Sequence, residues 1–145
     1  MRRPLIPLLA VLAVTLAACS SPGAAGTASP SSGGSPRVVA VTMTDEFRFV
    51  PAQFSFSAGD TVRFEVTNAG TIQHEFFIGD TNAQGAHEAE MVDGGMAHDE
   101  PNGISVDPGG SKVLEHTFAA AGAVVIGCHE PGHYDAGMVA TVSVD

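Results

Sequence analysis

The sequence predicts an all-β domain, a sandwich or barrel of about seven to eight strands. Two observations lead to this fold class. Short runs of the chain alternate apolar and polar residues, as half-buried β-strands do. Clusters of glycine, proline and aspartate separate these runs, for example Ser57-Ala58-Gly59-Asp60 and Asp107-Pro108-Gly109-Gly110, and such clusters indicate turns.

The clearest strands are Gln53–Ser57, in which both phenylalanines face one side, and Thr61–Thr67, in which Val62, Phe64 and Val66 do so. Further strands are predicted at Val38–Met43, His74–Ile78, Lys112–Phe118, Ala123–Gly127 and Val139–Val144. Residues 79–103 carry no strand pattern, so we predict a long irregular loop there, with at most a short helix at Asn82–Met91.

The first 18 residues have the features of a signal peptide. Arg2 and Arg3 precede the apolar run Leu5–Ala18, which is shorter than the roughly 20 residues of a membrane-spanning helix. The run ends in Leu16-Ala17-Ala18-Cys19, which resembles the cleavage box of bacterial lipoproteins. We therefore predict export, with a lipid on Cys19 anchoring the protein to the outer side of the cell membrane. Ordinary secretory cleavage nearby is the alternative.

A linker follows the predicted anchor. Residues 20–36 are only Ser, Pro, Gly, Ala and Thr, which cannot bury apolar surface. We therefore predict that residues 19–36, the lipidated cysteine and the stretch after it, form a disordered tether. The folded domain should occupy residues 37–145.

The charge of the chain restricts its partners. Six Lys and Arg residues stand against 16 Asp and Glu, which gives a formal net charge of −10 at pH 7. Binding to nucleic acid needs clustered Lys and Arg, so the composition argues against that partner. An acidic surface suits basic redox proteins through electrostatic steering, or it serves solubility alone.

The segment Cys128–Met138 carries the chemistry. It places a thiol, an imidazole and a thioether, from Cys128, His133 and Met138, within eleven residues. Soft sulfur ligands hold Cu(I), imidazole suits copper in general, and a trigonal His₂Cys set with a weak axial Met is a copper site. His74 is the best second imidazole, because it opens an apolar strand whose end can meet the end of the strand before Cys128.

These residues resemble the cupredoxin family, the blue copper proteins of the plastocyanin, azurin and auracyanin type. The resemblance rests on the Cys-x₄-His-x₄-Met spacing and on the turn Asn68-Ala69-Gly70 upstream of His74. It implies a Greek-key sandwich with one type 1 copper ion bound by His74, Cys128, His133 and Met138. The family also implies single-electron transfer between redox partners. Glu75 departs from the pattern, since many members carry an asparagine there that braces the ligand loop.

Other interpretations stay open at this point. Zinc competes for Cys and His ligands, although structural zinc sites rarely include a thioether. His133 as a base beside a nucleophilic Cys128 would make a cysteine enzyme; we predict no enzyme, and a monomer. Copper handling for resistance or delivery is the alternative function, supported by a possible second copper site in residues 79–103 built from His87, Met91, Met96 and His98. We predict that His129 and His116 are not ligands.

Overall fold

The computed structural model describes residues 35–95 and 98–145. The predicted signal peptide, Cys19, most of the linker and Met96 lie outside the described residues. Lipidation and the tether therefore stay predictions. None of the helices in the described parts is long and apolar enough to cross a membrane.

Nine strands and one helix make up the described chain. In chain order they are β1 (Arg37–Thr44), β2 (Arg48–Val50), β3 (Gln53–Phe56), β4 (Thr61–Asn68), β5 (His74–Gly79), α1 (Thr81–Val92), β6 (Gly103–Val106), β7 (Ser111–Thr117), β8 (Gly122–Gly127) and β9 (Val139–Val144). All seven predicted strands are present, with ends within one residue of the prediction. The all-β fold class is confirmed.

The strands form two sheets that pack face to face. One sheet has the order β2-β1-β4-β7 and the other β3-β9-β8-β5-β6. The pairs β1–β4 and β3–β9 are parallel, and the remaining pairs are antiparallel. Each sheet is apolar on its inner face, so the core lies between the sheets, as in other β-sandwiches.

Aromatic rings fill the centre of this core. Phe64, on β4, is fully buried and its ring lies 5.2–6.4 Å from four others, those of Phe54, Phe56, Phe76 and Phe118. Since the chain has no tryptophan, these phenylalanines supply the largest buried side chains. They join the two sheets below the end that carries the candidate metal ligands.

Residues 79–103 are not irregular throughout, because twelve of them form helix α1, which extends one residue beyond each end of the short helix allowed at Asn82–Met91. The Asp80 carboxylate caps the helix by accepting a hydrogen bond from the Ala83 N–H at 2.8 Å. Two of the three residues that the helix buries are polar, Gln84 and His87, and the third is Met91. The sequence consequently lacks the apolar stripe by which a helix is recognised.

Two strands were not predicted. Strand β2 has only three residues, too few to show alternation. All four residues of β6 are buried, so the run has no polar face and no period of two. Its place at the edge of the second sheet, beside β5, helps to hold His74.

Candidate metal centre

Two neighbouring antiparallel strands bring the thiol and the first imidazole together. His74 begins β5, and Cys128 directly follows β8, which pairs with β5 through Phe77 and Gly127. Both side chains are fully buried at the same end of the sandwich. Cys128 belongs to the core cluster, so its side chain points inward on the same face as Ile126.

The side chain of Asn68 fixes the turn that leads into β5. Its Nδ2 donates to the Ile72 carbonyl at 2.8 Å and to the Val106 carbonyl at 2.9 Å. Its Oδ1 accepts the Gly70 N–H at 2.9 Å. Asn68 is fully buried, and these three bonds satisfy its amide, so the turn before His74 is closely held.

The segment from Cys128 to Met138 closes on itself through its main chain. The Cys128 N–H donates to the Met138 carbonyl at 3.2 Å, and the Met138 N–H donates to the His133 carbonyl at 3.0 Å. Gly132 and Gly137 have φ values of 81° and 88°, which permit the two reversals. Met138 is fully buried in the same core cluster as Cys128.

Three donor atoms converge at this end of the sandwich. The Nδ1 atoms of His74 and His133 lie 3.2 Å apart, and Cys128 Sγ lies 3.3 Å from the Nδ1 of His133 and 3.9 Å from that of His74. A triangle with these sides has a circumscribed radius of about 2.0 Å, which is the length of a metal–imidazole bond. The donor set therefore fits a metal ion held by two imidazoles and a thiolate.

Burial keeps the metal-free donors neutral. Loss of solvent raises the pKa of the Cys128 thiol to about 12. Burial lowers the pKa of His133, and the neighbouring His74 lowers it further. Burial also lowers the pKa of His74, partly opposed by Asp45. Near pH 7 the site thus holds one thiol and two uncharged imidazoles, and a cation must displace the thiol proton.

Copper uptake should therefore release protons. We expect about one proton per Cu(I) bound at pH 7, and an apparent affinity that rises about tenfold per pH unit from pH 7 to 9. The sign follows from a thiol pKa of about 12, which leaves the proton in place across this range. Calorimetric titration in two buffers of different ionisation enthalpy measures the release. Binding without proton release would contradict it.

Asp45 faces the far side of the His74 ring. Its Oδ1 lies 3.4 Å from His74 Nε2, too long and too poorly aligned for a good hydrogen bond but close enough for electrostatic attraction. The main-chain N–H and hydroxyl of Thr71 hold the carboxylate at 2.7–3.0 Å and keep its pKa below the usual value. A Cβ on Gly70 would come within 2.0 Å of Asp45 Oδ1, so glycine makes this approach possible.

Removing this carboxylate should weaken the site. A carboxylate beside the outer nitrogen of a ligand histidine favours the tautomer that turns the other nitrogen to the metal. We expect Asp45→Ala to lower the Cu(II) affinity about tenfold. This is the lower limit of the typical effect of a residue that supports a metal ligand, because Asp45 is partly exposed to solvent. Glu46→Ala, which removes an exposed neighbouring carboxylate, is the matched control. Equal affinities of the two variants in a chelator competition would contradict the role.

The other predicted residues take different places. His129 is buried, and its ring nitrogens contact Glu88 and Gln84. His116 is half-buried on the other sheet, with its ring 4.8 Å from Phe118. Among residues 35–95 and 98–145, only His74, Cys128 and His133 bring three His, Cys, Asp or Glu donor atoms within metal-binding reach. A second site built from His87, Met91, Met96 and His98 stays a prediction, because it depends on thioether ligands and Met96 lies outside the described residues.

Comparison with known proteins agrees with this geometry. Residues 37–145 match the family model of copper-binding proteins of the plastocyanin/azurin family. The chain belongs to this family. Dithionite-reduced auracyanin from Roseiflexus castenholzii superposes on it with a TM-score of 0.67 and 22% identity, covering 77% of this chain and 99% of the auracyanin. At this identity the likeness establishes the cupredoxin fold alone. A plastocyanin/azurin-family member with this His-Cys-His cluster fits one type 1 copper ion.

More similar relatives carry a functional name. The copper-resistant cuproprotein CopI of Rubrivivax gelatinosus is 41% identical over 109 residues, which are 74% of this chain and 66% of that protein. The protein of the same name from Pseudomonas aeruginosa is 33% identical in an alignment 162 positions long, which covers 84% of this chain and 89% of the relative. The chain thus spans just under two thirds of the first relative and most of the second.

Proposed function

We propose that His74, Cys128 and His133 would hold one copper ion, with Met138 as a fourth, weaker ligand. The convergence of the three donor atoms carries this proposal. The place of Met138 in the core beside Cys128, and its main-chain bonds to both Cys128 and His133, support the fourth ligand. Bound copper would supply a one-electron couple between Cu(II) and Cu(I), with the thiolate as its most covalent ligand.

We propose that the biological role is copper resistance, by binding copper outside the cytoplasm without catalysing a reaction on it. The name of the CopI relatives supports this role over electron transfer, which the sequence alone favoured. The chemistry is also suitable. A buried thiolate with a thioether and two imidazoles holds Cu(I) firmly, and the buried position of Cys128 limits exchange with other thiols.

Export and anchoring belong to the same proposal. The leader and Cys19 would place the domain outside the cytoplasm on a lipid, where it meets copper before the metal enters the cell. One acyl chain holds a protein to a membrane only weakly, so a stable anchor on Cys19 requires more than one. A mature N-terminus that begins downstream of Cys19 without lipid would contradict this part.

A growth experiment tests the role in resistance. We expect the full chain to restore growth on copper to a bacterium that lacks its own envelope copper-binding resistance protein. His133→Ala should fail, whereas His116→Ala, which removes an imidazole from the other sheet, should restore growth as wild type does. Equal growth with the wild type and His133→Ala, at equal protein levels, would show that resistance does not depend on copper binding at this site.

Electron transfer between redox proteins is the second candidate. It is supported by the type 1 donor set and by the acidic chain, whose formal charge of −10 suits basic partners. An electron carrier should not protect a copper-stressed cell in proportion to its abundance. If added copies of the protein leave copper tolerance unchanged while the purified protein exchanges electrons rapidly with a basic cytochrome, this candidate is preferred.

A further inference from the structure

A buried polar cluster lies directly behind the ligand loop. Glu75 is fully buried, and its Oε1 lies 2.8 Å from His87 Nε2. Its Oε2 accepts the His129 main-chain N–H at 3.2 Å, and its own main-chain N–H donates to Cys128 Sγ at 3.2 Å. One residue therefore contacts the thiol, the backbone of the ligand loop and helix α1.

The His87 ring is held in place on several sides. It stacks on Phe77 with ring centroids 4.1 Å apart and planes 1° from parallel. Its Nδ1 lies 3.5 Å from a Glu100 carboxylate oxygen, and only 4% of the residue is exposed. The ring has little freedom to rotate, so Nε2 stays on the Glu75 carboxylate.

Helix α1 also contacts the segment Cys128–Met138 through the ring of His129. Gln84 lies three residues before His87 and four residues before Glu88, spacings at which helix side chains are neighbours. The Gln84 amide nitrogen donates to the Val125 carbonyl at 2.8 Å, which turns its Oε1 to His129 Nε2 at 2.6 Å. Glu88 Oε2 lies 2.5 Å from His129 Nδ1. Both ring nitrogens of His129 are thus bound to the helix.

The glycine before the metal-binding cysteine makes this contact possible. A Cβ on Gly127 would lie 2.5 Å from Gln84 Oε1 and 2.8 Å from a ring carbon of Tyr134. A side chain at this position would collide with the Gln84 amide and the Tyr134 ring, so the contact of Gln84 with His129 would have to change. The close packing of helix α1 on β8 is therefore a specific feature of this site.

We propose that the Glu75 carboxylate, held by His87, positions the loop from Cys128 to His133 for copper, so that helix α1 is a working part of the metal centre. A buried carboxylate that loses its partner is strongly unfavourable, so Glu75 and His87 act as a unit. Residues that orient metal ligands in this way typically change metal affinity about 10- to 100-fold. The inference rests on the copper site proposed above.

Copper release from four purified proteins tests the role: the wild type, His87→Phe, His87→Gln and His116→Phe. Phenylalanine keeps the stacking on Phe77 but removes the donor to Glu75, whereas the glutamine amide can replace Nε2. We expect His87→Phe to release copper to a chelator about 10- to 100-fold faster and to shift the visible band. His87→Gln and the control His116→Phe should stay close to wild type.

Two results would overturn the proposal. One is a release rate of His87→Phe within twofold of His116→Phe. The other is a lower melting temperature with unchanged release and spectrum, since that identifies a merely structural role. If His87→Phe does not fold, Glu75→Leu, which removes the acceptor of the His129 N–H, gives the same test. A wild type that binds no copper would instead refute the proposed function, so the two failures are distinguishable.

Discussion

Replacing Cys128 with serine should abolish the intense visible absorption of the copper-loaded protein. That absorption arises from charge transfer from the thiolate to Cu(II). A serine hydroxyl bound to copper does not give such a band. Copper affinity should also fall by more than the roughly 10- to 100-fold that supporting residues typically contribute. Visible spectroscopy of the Cu(II)-loaded protein, followed by Cu(I) competition, measures both effects.

The matched control for this variant is His116→Gln, which changes a half-buried polar residue outside the site. It should keep the colour and bind one copper ion. A colourless Cu(II)-loaded wild type would rule out the type 1 assignment. Colour that persists in Cys128→Ser would mean that another group binds the metal.

Replacing Phe64 with alanine should produce the largest loss of stability. The ring is fully buried and contacts four other phenylalanine rings, so its removal leaves a cavity between the sheets. We expect the free energy of unfolding to fall by about 3–5 kcal/mol. Denaturant unfolding of the metal-free protein measures it, because bound copper would add its own stabilisation.

Val113→Ala is the control for this loss. Val113 lies on the neighbouring strand β7 and is 42% exposed, so its truncation should change stability by only about 0.5 kcal/mol. A loss below about 1 kcal/mol in Phe64→Ala would show that the core closes around the missing ring, contrary to the close packing of protein interiors.

The strands that face solvent on one side could be predicted from the sequence. In strand β4, Val62, Phe64 and Val66 alternate with polar residues because one face of the strand is exposed to solvent. Strand β6 is buried throughout and offers no such signal. Helix α1 could be suggested only weakly for a related reason, since its inward residues Gln84 and His87 are polar and are satisfied by partners outside the helix.

The candidate site divides in the same way. The chemistry and spacing of Cys128, His133 and Met138 predicted a copper loop, and the place of His74 at the start of an apolar strand predicted that it would reach this loop. Asp45 could not be predicted, because it comes from a distant turn and approaches His74 only through the folded backbone. The sequence showed that Glu75 is unusual, but its contacts with His87 and His129 depend on where the helix packs.

The main-chain closure of the segment from Cys128 to Met138 bears on how metal could leave. Met138 is bonded to both Cys128 and His133, so those few bonds hold three proposed ligands at once. Opening them is a local, sub-global fluctuation that does not require the two sheets to separate. We expect the exchange rate of copper to depend on the opening of this segment and of its contacts with Glu75 and helix α1. The rate of metal loss can therefore be changed by substitutions in this segment that leave the global stability of the sandwich unchanged.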